Sequence, residues 1–291
     1  MNTDNLKNHQ KKPDWLKIKA VGGNKFSEVN KLLKAYDLHT VCQAANCPNR
    51  SECFDRGTAT FLILGPTCTR NCRFCDIVPG TPADIDTSEP ARIAELASRL
   101  HLKHVVITSV TRDDLSDGGA SQFAEVVTEI RNRLPGASIE ILTPDFQNQP
   151  AAKDIIIASA PDIFNHNLET VKSLYPVVRP GADYDHSLGL LAYVQTNSNI
   201  LTKSGIMVGV GETVEQLKEL FDDLVRHHVS VLTIGQYLAP SKMHLPVIEY
   251  YHPDRFTELK QLAETAGIRH VVAAPLVRSS YRADQIPLPE N

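Results

Sequence analysis

The chain has 291 residues, is 42% hydrophobic and 22% charged, and carries a formal net charge of −4. That is the profile of a soluble globular protein with room for one large domain or two ordinary ones. It leaves no basic footprint for nucleic acid, and no apolar run approaches the roughly eighteen residues of a membrane span.

The N-terminal "MNTDNLKNHQKKPDWLKIKA" has no apolar signal core and no arginine. It reads as neither a secretory nor a mitochondrial presequence, so a cytoplasmic location is expected. All six cysteines follow between Cys42 and Cys75. Cys42, Cys47 and Cys53 are spaced C-x4-C-x5-C, and Cys68, Cys72 and Cys75 are spaced C-x3-C-x2-C. Disulfides are uncommon in reducing cytosol, and a chain this long does not need them for stability. A closed zinc site needs four N or S ligands, which His39 or His104 could complete. Three thiolates on a short loop also suit a 4Fe–4S cluster, leaving one iron open to a substrate or an unusual ligand. Spacing alone leaves both metal readings standing.

From residue 59 onward, short Val-, Ile- and Leu-rich runs alternate with amphipathic stretches. The runs fall at 59–65, 104–110, 138–144, 161–167, 204–210, 230–236 and 270–276. Their near-continuous apolar character fits parallel strands covered by helices. "TSEPARIAELASRL" has a hydroxyl cap and an early proline, and "GGASQFAEVVTEIRNRLPG" stops at Pro135–Gly136. "ETVEQLKELFDDLVRHH" and "PDRFTELKQLAETAG" follow the same scheme. The expectation is one α/β domain in which each strand leads into a helix.

In such folds chemistry gathers at the carboxyl ends of the strands. Polar residues concentrate there: "PTCTRNCRFC" after the first run, "TRDDLSDGG" after the second, and Asn165–His166–Asn167 after the fourth. Gln236–Tyr237 ends the sixth run, and Arg278–Ser279–Ser280–Tyr281 follows the last.

The cysteine loop after the first strand, C-x3-C-x-aromatic-C in a βα chain, resembles the radical S-adenosylmethionine superfamily. The longer stretch "CQAANCPNRSECFDRGTATFLILGPTCTRNCRFCDI" is similar to the lipoyl synthase family. The likeness continues in "VVITSVTRDDLSDGGA", "NHNLETV", "LTKSGIMVGVGET", "LTIGQYL" and "PLVRSSYRAD", from "PDWLKIKA" onward. Gln43–Ala44, Pro66 and Ala239 depart from the family pattern at positions that are not presumed metal ligands.

The resemblance implies a partial TIM-type (β/α)6 barrel over residues 59–291, ending in the RSSY segment. Residues 1–58 would form an extension carrying an auxiliary cluster motif. Cys68, Cys72 and Cys75 would hold a 4Fe–4S cluster whose open iron chelates S-adenosylmethionine and yields a 5′-deoxyadenosyl radical. Phe74 would lie near the adenine, with Asn165 and Lys203 hydrogen-bonding the cofactor. Cys42, Cys47 and Cys53, completed by Ser280, would hold a second 4Fe–4S cluster that is consumed as sulfur donor. The implied reaction inserts two sulfurs at C6 and C8 of a protein-bound octanoyl-lysine. Implied partners are octanoylated carrier domains (2-oxoacid dehydrogenase acyltransferase subunits and glycine cleavage H-protein), an electron donor such as flavodoxin or ferredoxin, and an iron–sulfur carrier.

Plainer roles stand beside these. Phe74 suits an ordinary core aromatic, Ser280 a turn cap, and His166 a satisfied buried histidine. Arg112, Asp113, Asp114 and Asp117 suit either the cofactor's amino group or a solvated loop with a helix cap. Trp15 suits an N-terminal segment packed over the barrel or plain surface packing, and Lys12, Lys17 and Lys19 an acidic carrier or solvent. A biotin-synthase-like enzyme would share the radical loop, without the upstream C-x4-C-x5-C or RSSY.

Overall fold

The computed structural model describes residues 11–17, 23–56, 58–147 and 149–288; Lys19 lies outside them. The chain enters through a single 3-10 turn, Asp14–Leu16, and helix α1 (Asn24–Ala35). A short strand β1 (His39–Thr40) leads to two small helices, α2 (Val41–Ala44) and α3 (Arg50–Asp55), which carry the upstream cysteines.

All seven expected strands form: β2 (Thr60–Ile63), then β5 (His104–Ser109), β6 (Ser138–Leu142), β7 (Ile163–Asn165), β8 (Leu201–Val208), β9 (Val231–Gln236) and β10 (His270–Ala273). They are mutually parallel and hydrogen-bonded in that order, while β1 pairs antiparallel on the outer edge of β2. Because β1 and β10 end the sheet without pairing, the barrel is partial. A two-residue pair, β3 (Thr67–Cys68) with β4 (Val78–Pro79), brackets the downstream cysteine loop.

Six crossovers carry α4 (Glu89–Arg99), α5 (Ala120–Arg133), α6 (Pro150–Ser159), α7 (Tyr175–Val178) with α8 (Tyr184–Asn197), α9 (Val214–Arg226) and α10 (Pro253–Ala266). This gives the expected six βα units, with β10 as a seventh strand. Local chemistry sets their ends. Thr213 and Gln216 form a reciprocal capping box at α9, and Gly267 stops α10 in the left-handed region at φ 118°.

Two apolar layers result. The larger lies between sheet and helices and includes Phe61, Ile107, Ile141, Phe123 and Phe221. The smaller lies inside the barrel, where Ala283 and Ile286 of the C-terminal segment pack on Val106, Ile163 and Val231. Register links Val106 to Glu140 and Glu140 to Ile163, so Glu140 faces the same interior. The C-terminal segment therefore plugs the barrel near the amino ends of its strands. Its carboxyl ends remain for the loops.

Candidate active site

The downstream loop leaves β3 and crosses the carboxyl ends of the strands. Cys68 Sγ accepts the backbone N–H groups of Arg70 at 3.4 Å and Thr111 at 3.3 Å. Arg70 forms bidentate bonds to Asp113 and to Asp145, all between 2.7 and 2.8 Å, and fastens the loop to those after β5 and β6. Burial pushes Asp145 upward, but the Arg70 hydrogen bonds and charge outweigh it and hold the carboxyl at about 2. On the other flank, Arg73 N donates to the Val178 carbonyl and Leu245 N to the Arg73 carbonyl. His244 Nε2 donates to the Cys75 carbonyl at 3.0 Å.

Two groups of thiols form, and none of the six cysteines is in a disulfide. Burial, then its neighbours Cys72 and Cys68, pushes Cys75 up to about 12 despite a favourable Ile77 N–H. Burial raises Cys72 too, opposed by the Arg179 guanidinium. Upstream, burial and then Cys47 raise Cys42 to about 11, while burial with Cys42 and Cys47 raises Cys53 to about 12. Each set is thus close enough for its thiolates to repel. In each set two buried thiols resist ionising, which cationic iron would relieve, and backbone donors already await the thiolate at Cys68. The donor chemistry fits two clusters. Among the described residues, no three His, Cys, Asp or Glu side chains are gathered tightly enough to surround one metal ion.

Ser280 lines the same cavity as Cys42, Cys47 and Cys53, with His104, Thr60 and Arg278 on its walls. Buried Asn49 donates to the Leu276 carbonyl at 2.7 Å. Tyr281 and Arg282 both bond Glu52, next to Cys53, and Arg56 pairs with Asp284 at 3.2 Å. Gln43, one of the departures from the family pattern, accepts from Thr40 Oγ1 and donates to Asn30, tying α2 to α1.

Asn165 and Lys203 face the barrel interior. Lys203 Nζ lies 2.8 and 2.9 Å from the two Glu140 oxygens, and Asn165 Nδ2 donates to Glu140 Oε1 at 2.9 Å. Burial alone would raise Glu140; Lys203, with His104, holds it at about 2. Both residues are already committed to a buried carboxylate. Phe74 is half-buried and belongs to neither apolar layer.

Other expectations resolve toward their plainer side. Asp117 accepts from Gly119 and Ser121 N–H groups at the start of α5, while Arg112 is buried against Asp114. Gln236 braces the Glu249 carbonyl and Tyr251 N–H, and Tyr237 OH donates to the Leu245 carbonyl. His166 is buried and its Nδ1 donates to the Thr143 carbonyl at 2.9 Å, but its buried Nε2 has no hydrogen-bond partner among the described residues, so only half of the ring is satisfied. Trp15 stands edge-on to His252 at the start of α10, and Lys17 pairs with Asp14 in solvent. Partial desolvation and then Arg278 lower Lys12, which places the N-terminal segment near the RSSY segment.

Sequence reasoning placed Asn167 at a strand end without a partner and passed over Glu169 and Arg179. Asn167 Nδ2 donates to Glu169 at 2.9 Å and to Ser279 Oγ at 2.7 Å. Arg179 Nη1 donates to the Asn167 carbonyl at 2.7 Å. This group spans the interior between the two thiol sets. Gly205 makes room for it, since a Cβ there would sit 2.7 Å from Asn167 Oδ1 and Thr233 Oγ1.

Residues 62–224 match the model of the radical SAM superfamily. The chain is 52% identical to a lipoyl synthase of Caldicellulosiruptor saccharolyticus, covering 94% of this chain and 97% of that one. It is 50% identical to a lipoyl synthase of Chromobacterium violaceum, over 94% and 88% of the two chains. Among solved structures, methylornithine synthase shares the fold with a TM-score of 0.53 at 15% identity, over 90% and 88% of the chains. SuiB of Streptococcus suis bound to S-adenosylmethionine does so at 0.58 and 13% identity, over 86% and 61%. With half of its residues shared along nearly its whole length, this chain belongs to the lipoyl synthase family of the radical SAM superfamily.

Proposed function

We propose that this chain inserts sulfur at C6 and C8 of an octanoyl group carried on a protein lysine, using S-adenosylmethionine and two 4Fe–4S clusters. Cys68, Cys72 and Cys75 hold the first cluster, with Phe74 beside the adenine. Cys42, Cys47, Cys53 and Ser280 hold the second. When bound, the first cluster with S-adenosylmethionine supplies hydrogen abstraction from unactivated carbon, and the second supplies the sulfur.

The observation that carries this reading is Ser280, drawn from the far end of the chain into the Cys42–Cys47–Cys53 cavity. An oxygen ligand held by a docked segment is easier to displace than a thiolate, as a site that gives up sulfur requires. The remaining residues position and shield. Backbone donors stabilise negative charge on Cys68 Sγ, and the Arg179 and Arg70 guanidiniums do so near Cys72. Asn167, Glu169 and Ser279 keep the thiol sets at a fixed separation across an interior closed by Ala283 and Ile286.

The substrate class is an octanoylated carrier protein, here an acyltransferase subunit of a 2-oxoacid dehydrogenase or a glycine cleavage H-protein. Flavodoxin or ferredoxin supplies electrons, and an iron–sulfur carrier rebuilds the donor cluster. The six unpaired thiols suit the cytoplasm. Among the described residues no helix is long and apolar enough to cross a membrane.

Anaerobic iron analysis together with mass spectrometry of an octanoyl-lysyl peptide tests the reading. About eight irons per chain and two added sulfurs are expected. Replacing Cys42, Cys47 and Cys53 with Ala should preserve S-adenosylmethionine cleavage and abolish sulfur insertion. Lipoyl product from that variant refutes the donor role.

A further inference from the structure

A tethered acyl chain must enter the barrel from one side. The amino ends of the strands are plugged by Ala283 and Ile286, and the rim of the Ser280 cavity is crossed by the Arg56–Asp284 and Arg282–Glu52 ion pairs. The radical loop lies at the opposite end. Entry is therefore past the loops at the carboxyl ends of the strands.

Three of those loops are laced together around Arg73. Its N–H donates to the Val178 carbonyl at 3.1 Å, and its carbonyl accepts from Leu245 N at 3.1 Å. The laced loops present large apolar side chains to solvent: Val78 is 65% exposed, Val177 46% and Met243 92%. Arg73 and Lys242, both exposed, make no ion pair among the described residues, unlike Lys172, which is held by Asp185. The acid beside them, Asp76, is taken by Asn46 Nδ2 at 2.5 Å and lies 3.8 Å from His244. Glu249, farther along the loop, and Asp183, beyond Val177, are exposed acids. The rim around Arg73 is thus apolar patches set among cations, next to Cys72 and Cys75. Apolar anchors with unpaired charges at their edge are the ingredients of a specific interface, and a cluster at the entrance left open among the described residues is not scattered surface.

We propose that Val78, Val177 and Met243, flanked by Arg73 and Lys242, form the docking surface for the folded carrier domain. The partner presents an acidic rim around its acylated lysine, and its apolar surface covers Met243. This rests on the lipoyl synthase reading above. Docking here sets the lysine arm over the radical loop, with the acyl chain directed inward toward Asn167 and Ser279. Recognition of the carrier body is then separable from recognition of the acyl-lysine itself.

The test compares the reconstituted enzyme with its Lys242→Glu/Met243→Glu double variant on two substrates, an octanoylated carrier domain and a short octanoyl-lysyl peptide. The variant should raise KM for the carrier domain by about tenfold, with kcat and peptide turnover unchanged. In the wild type, carrier KM should rise with salt, and that dependence should weaken in the variant. An unchanged carrier KM in a variant that still turns over peptide overturns the proposal. Should wild type insert sulfur into neither substrate, the functional reading fails, and the surface is judged by binding alone. Carrier binding to wild type that the variant loses supports it; equal or absent binding overturns it. Self-association abolished by the variant without loss of carrier binding assigns the patch to a second copy, and likewise overturns it.

Discussion

Lys203→Met should be among the most damaging single changes in the barrel, and its damage should depend on pH. Lys203 and Glu140 are both fully buried, with Nζ 2.8 Å from one carboxylate oxygen. Breaking a buried pair by removing one partner costs about 3–5 kcal/mol. Without the ammonium, burial is opposed chiefly by the neighbouring His104, and the folded pKa of Glu140 moves from near 2 to above its ordinary 4.5. The native state then holds a proton that the unfolded chain has released, so stability is lost as pH rises and recovered as pH falls toward 4.5. Neutralising Glu140 at pH 7 costs about 3.4 kcal/mol, at about 1.36 kcal/mol per pH unit above 4.5. At pH 5 the same cost is only about 0.7 kcal/mol. Anaerobic denaturant unfolding of wild type and variant at both pH values measures the difference, and changes common to both chains cancel. Glu140→Gln added to Lys203→Met should restore most of the loss. Equal deficits at pH 5 and pH 7, or no deficit at pH 7, would refute the buried-charge reasoning.

His166, which burial and the nearby Arg179 lower to about 4 from 6.5, predicts the opposite slope in wild type. Its native state resists the proton, so stability present above pH 6.5 falls by up to about 3 kcal/mol as pH drops toward 4. His166→Asn should flatten that slope in the same unfolding experiment. Gly209→Ala places a Cβ 2.3 Å from Gln236 Nε2 and the Glu249 carbonyl, at φ +92°. Backbone strain of about 1–3 kcal/mol adds to the clash, and a lower Tm by thermal unfolding is expected. Asn49→Ala leaves the Leu276 carbonyl without its donor, costing about 1–3 kcal/mol. Chelator-accessible iron should then leave the Cys42 set faster than in wild type, measured with Cys68, Cys72 and Cys75 replaced by Ala.

The periodic parts of the fold were legible in sequence for a simple reason. A parallel strand buried on both faces must be apolar throughout, and runs such as "HVVITSV" announce it. Register and neighbour order were not legible, since β-branched runs carry no address. The two cysteine sets could be read because reactive thiols have few other reasons to crowd together. The placing of Ser280 beside the upstream set could not be read from spacing, because a hydroxyl in a loop has many uses; only family likeness pointed there. Glu140 left a signal that went unused: one acid in the apolar run "SIEIL" must find a buried cation, and Lys203 is the cation in the similarly apolar "LTKSGIMV". Asn165 and Lys203 were expected, from the family likeness, to hydrogen-bond the cofactor, and the structure shows both bonded to Glu140. Gln236 and Tyr237 stand at the right end of a strand for chemistry yet brace a loop. Position at a strand terminus shows where a side chain is, not what it touches.

The proposed role of Ser280 requires it to be both held and released, and the way its segment is anchored suits that role. Exposed pairs such as Arg56–Asp284 and Arg282–Glu52 contribute about 0–1 kcal/mol each and do not by themselves fix a segment. The anchoring is instead buried and lies on both sides of the serine. Upstream, Asn49 bonds the Leu276 carbonyl and Val277 is buried against Gly235, where a Cβ would meet the Val277 carbonyl at 2.1 Å. Downstream, Ala283 and Ile286 seal the barrel interior. Ser279 is tied to Asn167, while the Ser280 side chain makes no hydrogen bond among the described residues and lines the thiol cavity. A ligand placed between two fixed anchors can leave a metal by side-chain rotation alone. The segment stays docked, the interior stays closed, and the same serine remains in place when the site is rebuilt.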